Sequence, residues 1–189
     1  MEHNIYTPSD DSYLLSETLE EYVPQIDDYK NKRYLEVGCG SGIQLETLKD
    51  IGINRENIFS LDINPQAVKK CRSLGFNSVV SDLFSDIPEN EKYDIIIFNP
   101  PYLPDSEENP EPEDSKTMTT GGGGGGKIIN RFLKQSKNHL SENGIIFLLI
   151  SSLTKGIDLN GFEKQEINKK NLFFENLYVW KLKMNKIKT

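Results

Sequence analysis

A chain of 189 residues that is 36% hydrophobic and 27% charged is sized for one core, and predicts a single domain over residues 1–189 that buries roughly 70% of its unfolded surface. Its formal net charge of −7 argues against a nucleic-acid footprint spread over the whole surface. The apolar run Ile145 to Ile150 is far short of the ~20 residues that span a bilayer, and the start MEHNIYTPSDD has no basic-then-apolar signal pattern, so a cytoplasmic protein without membrane contact is expected. Two cysteines, Cys39 and Cys71, indicate neither a disulfide framework nor a cysteine metal site, and no metal centre is expected.

Residues 9–23 place Leu14, Leu15, Thr18, Leu19 and Tyr22 on one helical face behind Ser9 or Asp10 as the N-cap. Tyr34 to Val37 reads as a first strand, closed by the turn Gly38-Cys39-Gly40-Ser41-Gly42, and a helix follows that ends near Gly52. Residues 57–65 read as a second strand, the stretch from Pro65 as a helix with that proline in its first turn, and residues 78–84 as a third strand. Tyr93 to Phe98 is the fourth strand. After it come an acidic stretch, Asp105 to Asp114, a glycine run, Gly121 to Gly126, and a helix from about Lys127 to Leu140. Residues 144–152 form a fifth strand, and residues 161–183 alternate enough for two more in a hairpin-like relation.

Strands that alternate with helices, several of them almost wholly apolar, indicate a mostly parallel sheet covered on both faces. The expected fold class is therefore α/β, doubly wound, with seven strands. In such sheets ligands bind beyond the carboxyl ends of the strands at the topological switch point, and Glu36 to Gly42, Asp62, Asp82 and Asn99 all fall at or just after the ends of strands one to four.

The glycine turn lets a ligand approach the backbone and leaves the next helix's first amides free. Gly38, Gly40 and Gly42 are spaced G-x-G-x-G, which departs from the dinucleotide fingerprint G-x-G-x-x-G, and taken alone the turn could equally be a tight bend with no ligand. Asp62, about twenty residues on, can accept hydrogen bonds from both ribose hydroxyls of an adenosyl ligand. Asp82 can accept from an exocyclic adenine amino group, although an isolated aspartate there is just as readable as a turn or cap residue. Ile63 and Leu83, beside these two carboxylates, complete the expected cofactor pocket. In Asn99-Pro100-Pro101-Tyr102 two prolines fix φ twice, remove two donors and hold Asn99 out of the helical region, leaving rigid, free carbonyls.

Together, Gly38 to Gly42, Asp62, Asp82 and the Asn99-Pro100-Pro101-Tyr102 tetrapeptide resemble the class I S-adenosylmethionine-dependent methyltransferases, and the tetrapeptide resembles the signature of those that methylate planar nitrogens. The segment IYTPSDDSYLL is similar to the opening of HemK-like release-factor glutamine methyltransferases of archaea and eukaryotes. That resemblance implies S-adenosylmethionine as cofactor and a Rossmann-like fold. It places Tyr6, Pro8, Asp11 and Ser12, within an N-terminal helical segment over residues 1–30, above the cofactor pocket, with Glu36 facing the methionine amino group. Read without the family, Pro8 to Ser12 is a helix N-terminus with capping residues.

The resemblance also implies catalysis by Asn99, Pro100, Pro101 and Tyr102. The Asn99 side-chain oxygen and the Pro100 carbonyl accept the two N–H bonds of the substrate nitrogen, Pro101 stiffens that carbonyl, and Tyr102 stacks on the flat group. A protein substrate, a release factor, is the implied acceptor, and a small zinc-binding activator subunit the implied partner. Methylation of an exocyclic amine of adenine or guanine in RNA or DNA stays open, as does a non-catalytic cofactor-holding scaffold. The segment 103–126 is expected to be a mobile acidic and glycine-rich loop, either a passive linker or a substrate lid.

Overall fold

The computed structural model describes residues 5–101 and 125–185. Tyr102, the acidic stretch Asp105 to Asp114 and Gly121 to Gly124 lie outside the described residues, so the expectations placed on them have no structural counterpart below.

In chain order the elements are α1 (Asp10–Tyr22), β1 (Tyr34–Val37), α2 (Ile43–Asp50), β2 (Ile58–Asp62), α3 (Pro65–Ser73), β3 (Asn77–Val80), β4 (Tyr93–Phe98), α4 (Gly126–Ser136), β5 (Leu140–Ser151), β6 (Phe162–Asn171) and β7 (Asn176–Met184). The strands form one sheet in the order β3-β2-β1-β4-β5-β7-β6. Every neighbouring pair from β3 to β5 is parallel, while β7 runs antiparallel to both β5 and β6. The order reverses between β1 and β4, so the crevice for a ligand opens at the carboxyl ends of those two strands.

Burial on both faces explains why β4 is an unbroken apolar run. Ile95 and Ile97 pack on one face with Leu14, Leu15 and Leu19 of α1, Leu45 and Leu48 of α2, and Ala67 and Cys71 of α3. Ile96 and Phe98 pack on the other with Ile129, Phe132 and Leu133 of α4. The period of two thus sends alternate isoleucines into different layers. Along β1 the same alternation puts Tyr34 in the first layer and Leu35 and Val37 in the second, and Glu36, level with Ile97, falls on the first face.

Helix α1 begins where its spacing predicts, with Ser9 at the N-cap, but the Ser9 side chain makes no capping bond and its carbonyl takes the amide of Tyr13 at 3.0 Å. The helix is fastened across its length to the far hairpin: Asp10 pairs with Lys170 at 2.8 Å, Asn168 Nδ2 donates to Thr18 Oγ1 at 3.0 Å, and the Tyr22 hydroxyl donates to the Ile167 carbonyl at 2.8 Å.

Three boundaries that differ from expectation do so for local reasons. The third strand stops at Val80 because the Ser81 hydroxyl donates to the Leu83 carbonyl at 2.6 Å and accepts from the Asp86 amide at 3.1 Å, which turns the chain out of the ladder. Helix α4 ends at Ser136 because the following residues are recruited by the sheet: His139 accepts the Tyr93 amide at 2.8 Å, and Leu140 pairs with Tyr93. For the same reason β5 begins at Leu140, ahead of its expected start at residue 144, whereas α4 starts within one residue of expectation, at Gly126. Only glycine fits there, since a Cβ would stand 2.3 Å from the Lys155 carbonyl oxygen. Gly126→Ala is expected to destabilise the fold by about 1–3 kcal/mol, the usual range for overpacking against backbone. A denaturant midpoint equal to the wild type's would contradict that.

Candidate active site

The turn after β1 is shaped by three left-handed glycines, Gly38, Gly40 and Gly42, with φ of +72°, +45° and +86°. The amides of Gly38 and Cys39 both donate to the Leu61 carbonyl, at 2.8 and 3.1 Å, which ties the turn to the end of β2. Asp62 completes the tie: one carboxylate oxygen accepts the Gly40 amide at 2.8 Å and the other the Asn64 amide at 2.8 Å. A carboxylate has about four acceptor positions, so Asp62 retains capacity for a ligand's hydroxyls. A Cβ at Gly40 would meet nothing within 4 Å, so the backbone borders open space there.

Burial pushes the Asp62 carboxyl above its usual range, and the amides of Asn64, Gly40 and Ile63 oppose the shift. Glu36, 3% exposed, is raised well above its ordinary 4.5, first by burial and then by the neighbouring Cys71 and Asp62. Its Oε2 is buried without a hydrogen-bond partner. An unsatisfied buried carboxylate oxygen is costly, and a cationic donor arriving in the crevice would relieve it.

Cys39 turns its side chain into the core, where its thiol meets that of Cys71. Its part in the turn is therefore played by its backbone. Asp82 is half-exposed and forms an ion pair with Arg131 of α4 at 2.7 Å, and the next residue, Leu83, is buried with a φ of +51°. Ile63, 62% exposed, projects from the turn after Asp62.

The N-terminal segment reaches the tetrapeptide itself. Asn99 Nδ2 donates to Asp11 Oδ2 at 3.0 Å, which leaves Asn99 Oδ1 buried and without a partner. Tyr6 donates its hydroxyl to both Asp11 oxygens, at 3.1 and 3.2 Å, and the Ser12 amide donates to Asp11 Oδ1 at 2.6 Å. Pro8, half-buried, sits between Tyr6 and the helix. Pro100 is buried and Pro101 half-buried, directly after β4.

A polar lattice that sequence reading did not single out docks α1 on α2. Gln44 Nε2 donates to the Ser12 carbonyl at 2.9 Å, Ser16 Oγ donates to Gln44 Oε1 at 2.9 Å, and Thr47 Oγ1 donates to Ser16 Oγ at 3.1 Å. The available signal was the placing of Ser12, Ser16, Gln44 and Thr47 at core-facing positions of two amphipathic helices.

Among known proteins, a family model described as Methyltransferase small domain matches residues 10–113, and one described as Eco57I restriction-modification methylase matches residues 75–174. A protein N5-glutamine methyltransferase of Methanocaldococcus jannaschii is 36% identical over 171 residues, which cover 87% of this chain and 78% of that one. The chain belongs to this methyltransferase family. The eRF1 methyltransferase catalytic subunit of Schizosaccharomyces pombe is 26% identical over 206 residues, covering 95% and 89% of the two chains. In fold, the chain resembles the E. cuniculi Mtq2-Trm112 complex that methylates the translation termination factor eRF1, with a TM-score of 0.72, 24% identity, and 96% and 99% of the two chains covered.

As a member of the family it is an S-adenosylmethionine-dependent methyltransferase. The residues present suit that cofactor. Gly40 borders the open space, Asp62 holds acceptor capacity for ribose hydroxyls, and the orphaned Glu36 Oε2 suits an ammonium group. Among the described residues no group of side chains is arranged to hold a metal ion, and no helix is long and apolar enough to cross a membrane.

The raised Glu36 and Asp62 carboxyls give a pH dependence with a definite sign. In the folded protein both keep their protons to higher pH than in the unfolded chain. Stability without cofactor therefore falls as pH rises from their ordinary values through the folded ones. Glu36→Gln is expected to flatten this slope in thermal melts as pH rises above the ordinary 4.5 of a glutamate. A slope equal to the wild type's would show that Glu36 is not its source.

Proposed function

We propose that this methyltransferase acts on the side-chain amide of a glutamine in a peptide chain release factor, working with a small zinc-binding activator subunit. The observation that carries the acceptor chemistry is the divided Asn99 amide: its NH₂ is held by Asp11 while its oxygen is buried and unpartnered at the carboxyl end of β4. A buried acceptor of this kind suits an incoming N–H. The names of the M. jannaschii and S. pombe relatives, which match across most of their lengths, support glutamine and a release factor as the substrate. The complex formed by the Mtq2 structure supports the partner.

An amide nitrogen is a poor nucleophile because its lone pair is delocalised into the carbonyl. The cofactor supplies an electrophilic methyl on a sulfonium sulfur. Asn99 Oδ1 and the Pro100 carbonyl accept the two N–H bonds of the substrate amide, which favours the pyramidal nitrogen and aims its lone pair along the transfer path. As the N–C bond forms, the methyl's bond to sulfur would break to leave a neutral thioether and one N–H proton would pass to water, so orientation and electrostatic stabilisation are required rather than a strong base.

The Eco57I match over residues 75–174 favours a second acceptor, an exocyclic amine of a nucleic acid. Incubation with methyl-labelled cofactor and a mixture of release factor, ribosomal RNA and DNA, with and without the candidate activator, separates the two. Label in the release factor, increased by the activator, is the expected result. Label in nucleic acid with none in protein would replace the proposed substrate.

A further inference from the structure

The geometry points to Asp11 as a positioning residue that fixes the orientation of the Asn99 amide. The assignment rests on the reading that Asn99 Oδ1 receives a substrate N–H. An asparagine amide free to turn presents either its oxygen or its NH₂ to the pocket, and only the oxygen can accept. Here the choice is made by charge and donor count. Asp11 Oδ2 stands 3.0 Å from Asn99 Nδ2, and a carboxylate accepts only, so the NH₂ must face Asp11 and the oxygen must face away.

Asp11 is itself held on every side that can donate. The Tyr6 hydroxyl bridges its two oxygens, and the Ser12 amide and hydroxyl converge on Oδ1 at 2.6 and 3.2 Å. Asp11 is 4% exposed, and the Ser12 carbonyl is anchored to Gln44 of α2 at 2.9 Å. The result is a chain of contacts from α2 through Ser12 and Asp11 to Asn99, with Tyr6 locking the carboxylate from the N-terminal side. Sequence separation hides it, since Asp11 and Asn99 are 88 residues apart.

Substitution separates this part from a cofactor contact. In Asp11→Asn the side chain keeps its shape, and the close Ser12 amide retains the oxygen at the Oδ1 position. The new NH₂ then faces the Asn99 NH₂, and the Asn99 amide turns over to avoid two opposed donors. We expect D11N to lower kcat by about ten- to a hundredfold, at least as far as D11A does, with cofactor affinity within about twofold of wild type.

A double-mutant cycle distinguishes positioning from general support of the fold. In the N99A background D11A is expected to change kcat by less than about twofold, because the residue it positions is gone. The Asn99 side-chain NH₂ resonances, assigned by their loss in N99A, are expected to shift or broaden in D11A. An equal fold loss from D11A in both backgrounds, unchanged Asn99 resonances, or a loss carried by cofactor affinity would each overturn the assignment. If the wild type methylates no release factor, the proposed substrate falls, while the resonances still decide whether Asp11 holds the amide.

Discussion

Asn99→Ala is expected to reduce kcat by about a hundredfold or more while leaving cofactor affinity unchanged, as is usual for positioned polar groups that act on the transition state. The reason lies in where its two polar atoms go. The NH₂ is consumed by Asp11, and the oxygen is buried without a protein partner, so alanine deletes an acceptor that the resting fold does not use. Stability is expected to change little for the same reason, because only the bond to Asp11 is lost. Single-turnover methylation together with calorimetric titration of the cofactor checks both halves. A parallel loss of affinity and rate would mean that Asn99 shapes the pocket and does not act on the nitrogen.

Asp62→Ala is expected to weaken cofactor binding by about 1.5–3 kcal/mol, the range for hydrogen bonds to a buried charged acceptor, which is roughly ten- to more than a hundredfold in Kd. Two effects combine. The ligand's hydroxyls lose their acceptor, and the amides of Gly40 and Asn64, both at 2.8 Å from the carboxylate, lose the group that holds the turn in register. Asp62→Asn is not expected to restore affinity, because its NH₂ would face one of those two amides. Wild-type affinity in either variant, measured by titration calorimetry, would remove Asp62 from the cofactor site.

The sheet was legible because its signals are local. Ile95, Ile96 and Ile97 form an apolar run that only a strand buried on both faces requires, and Pro65 opens α3 where its missing N–H costs nothing, behind the Asn64 side chain that accepts the Gln66 amide at 2.9 Å. The glycine turn and Asp62 were legible for the same reason: the turn needs positive φ at three positions, and the carboxylate ends the neighbouring strand. What stayed hidden depends on tertiary approach. Whether Asn99 faces a substrate or a neighbour is decided by Asp11 from the other end of the chain. Asp82 reads in sequence as an adenine acceptor or as a turn or cap residue, yet Arg131 of α4 arrives to pair with it. The start of α4 was legible to within one residue, but the need for glycine at Gly126 was not, because it comes from the Lys155 carbonyl, about thirty residues on.

The most direct measurement is the chemical position of the transferred methyl. The protein, its candidate activator and a purified release factor are incubated with S-adenosylmethionine, and the digested release factor is mapped by fragmentation mass spectrometry. The expected result is one methyl on the side-chain nitrogen of a single glutamine, absent when N99A replaces the wild type. A methyl on a lysine or another residue, or one found only on nucleic-acid amines in the same mixture, would contradict the assignment of this site to glutamine amide chemistry.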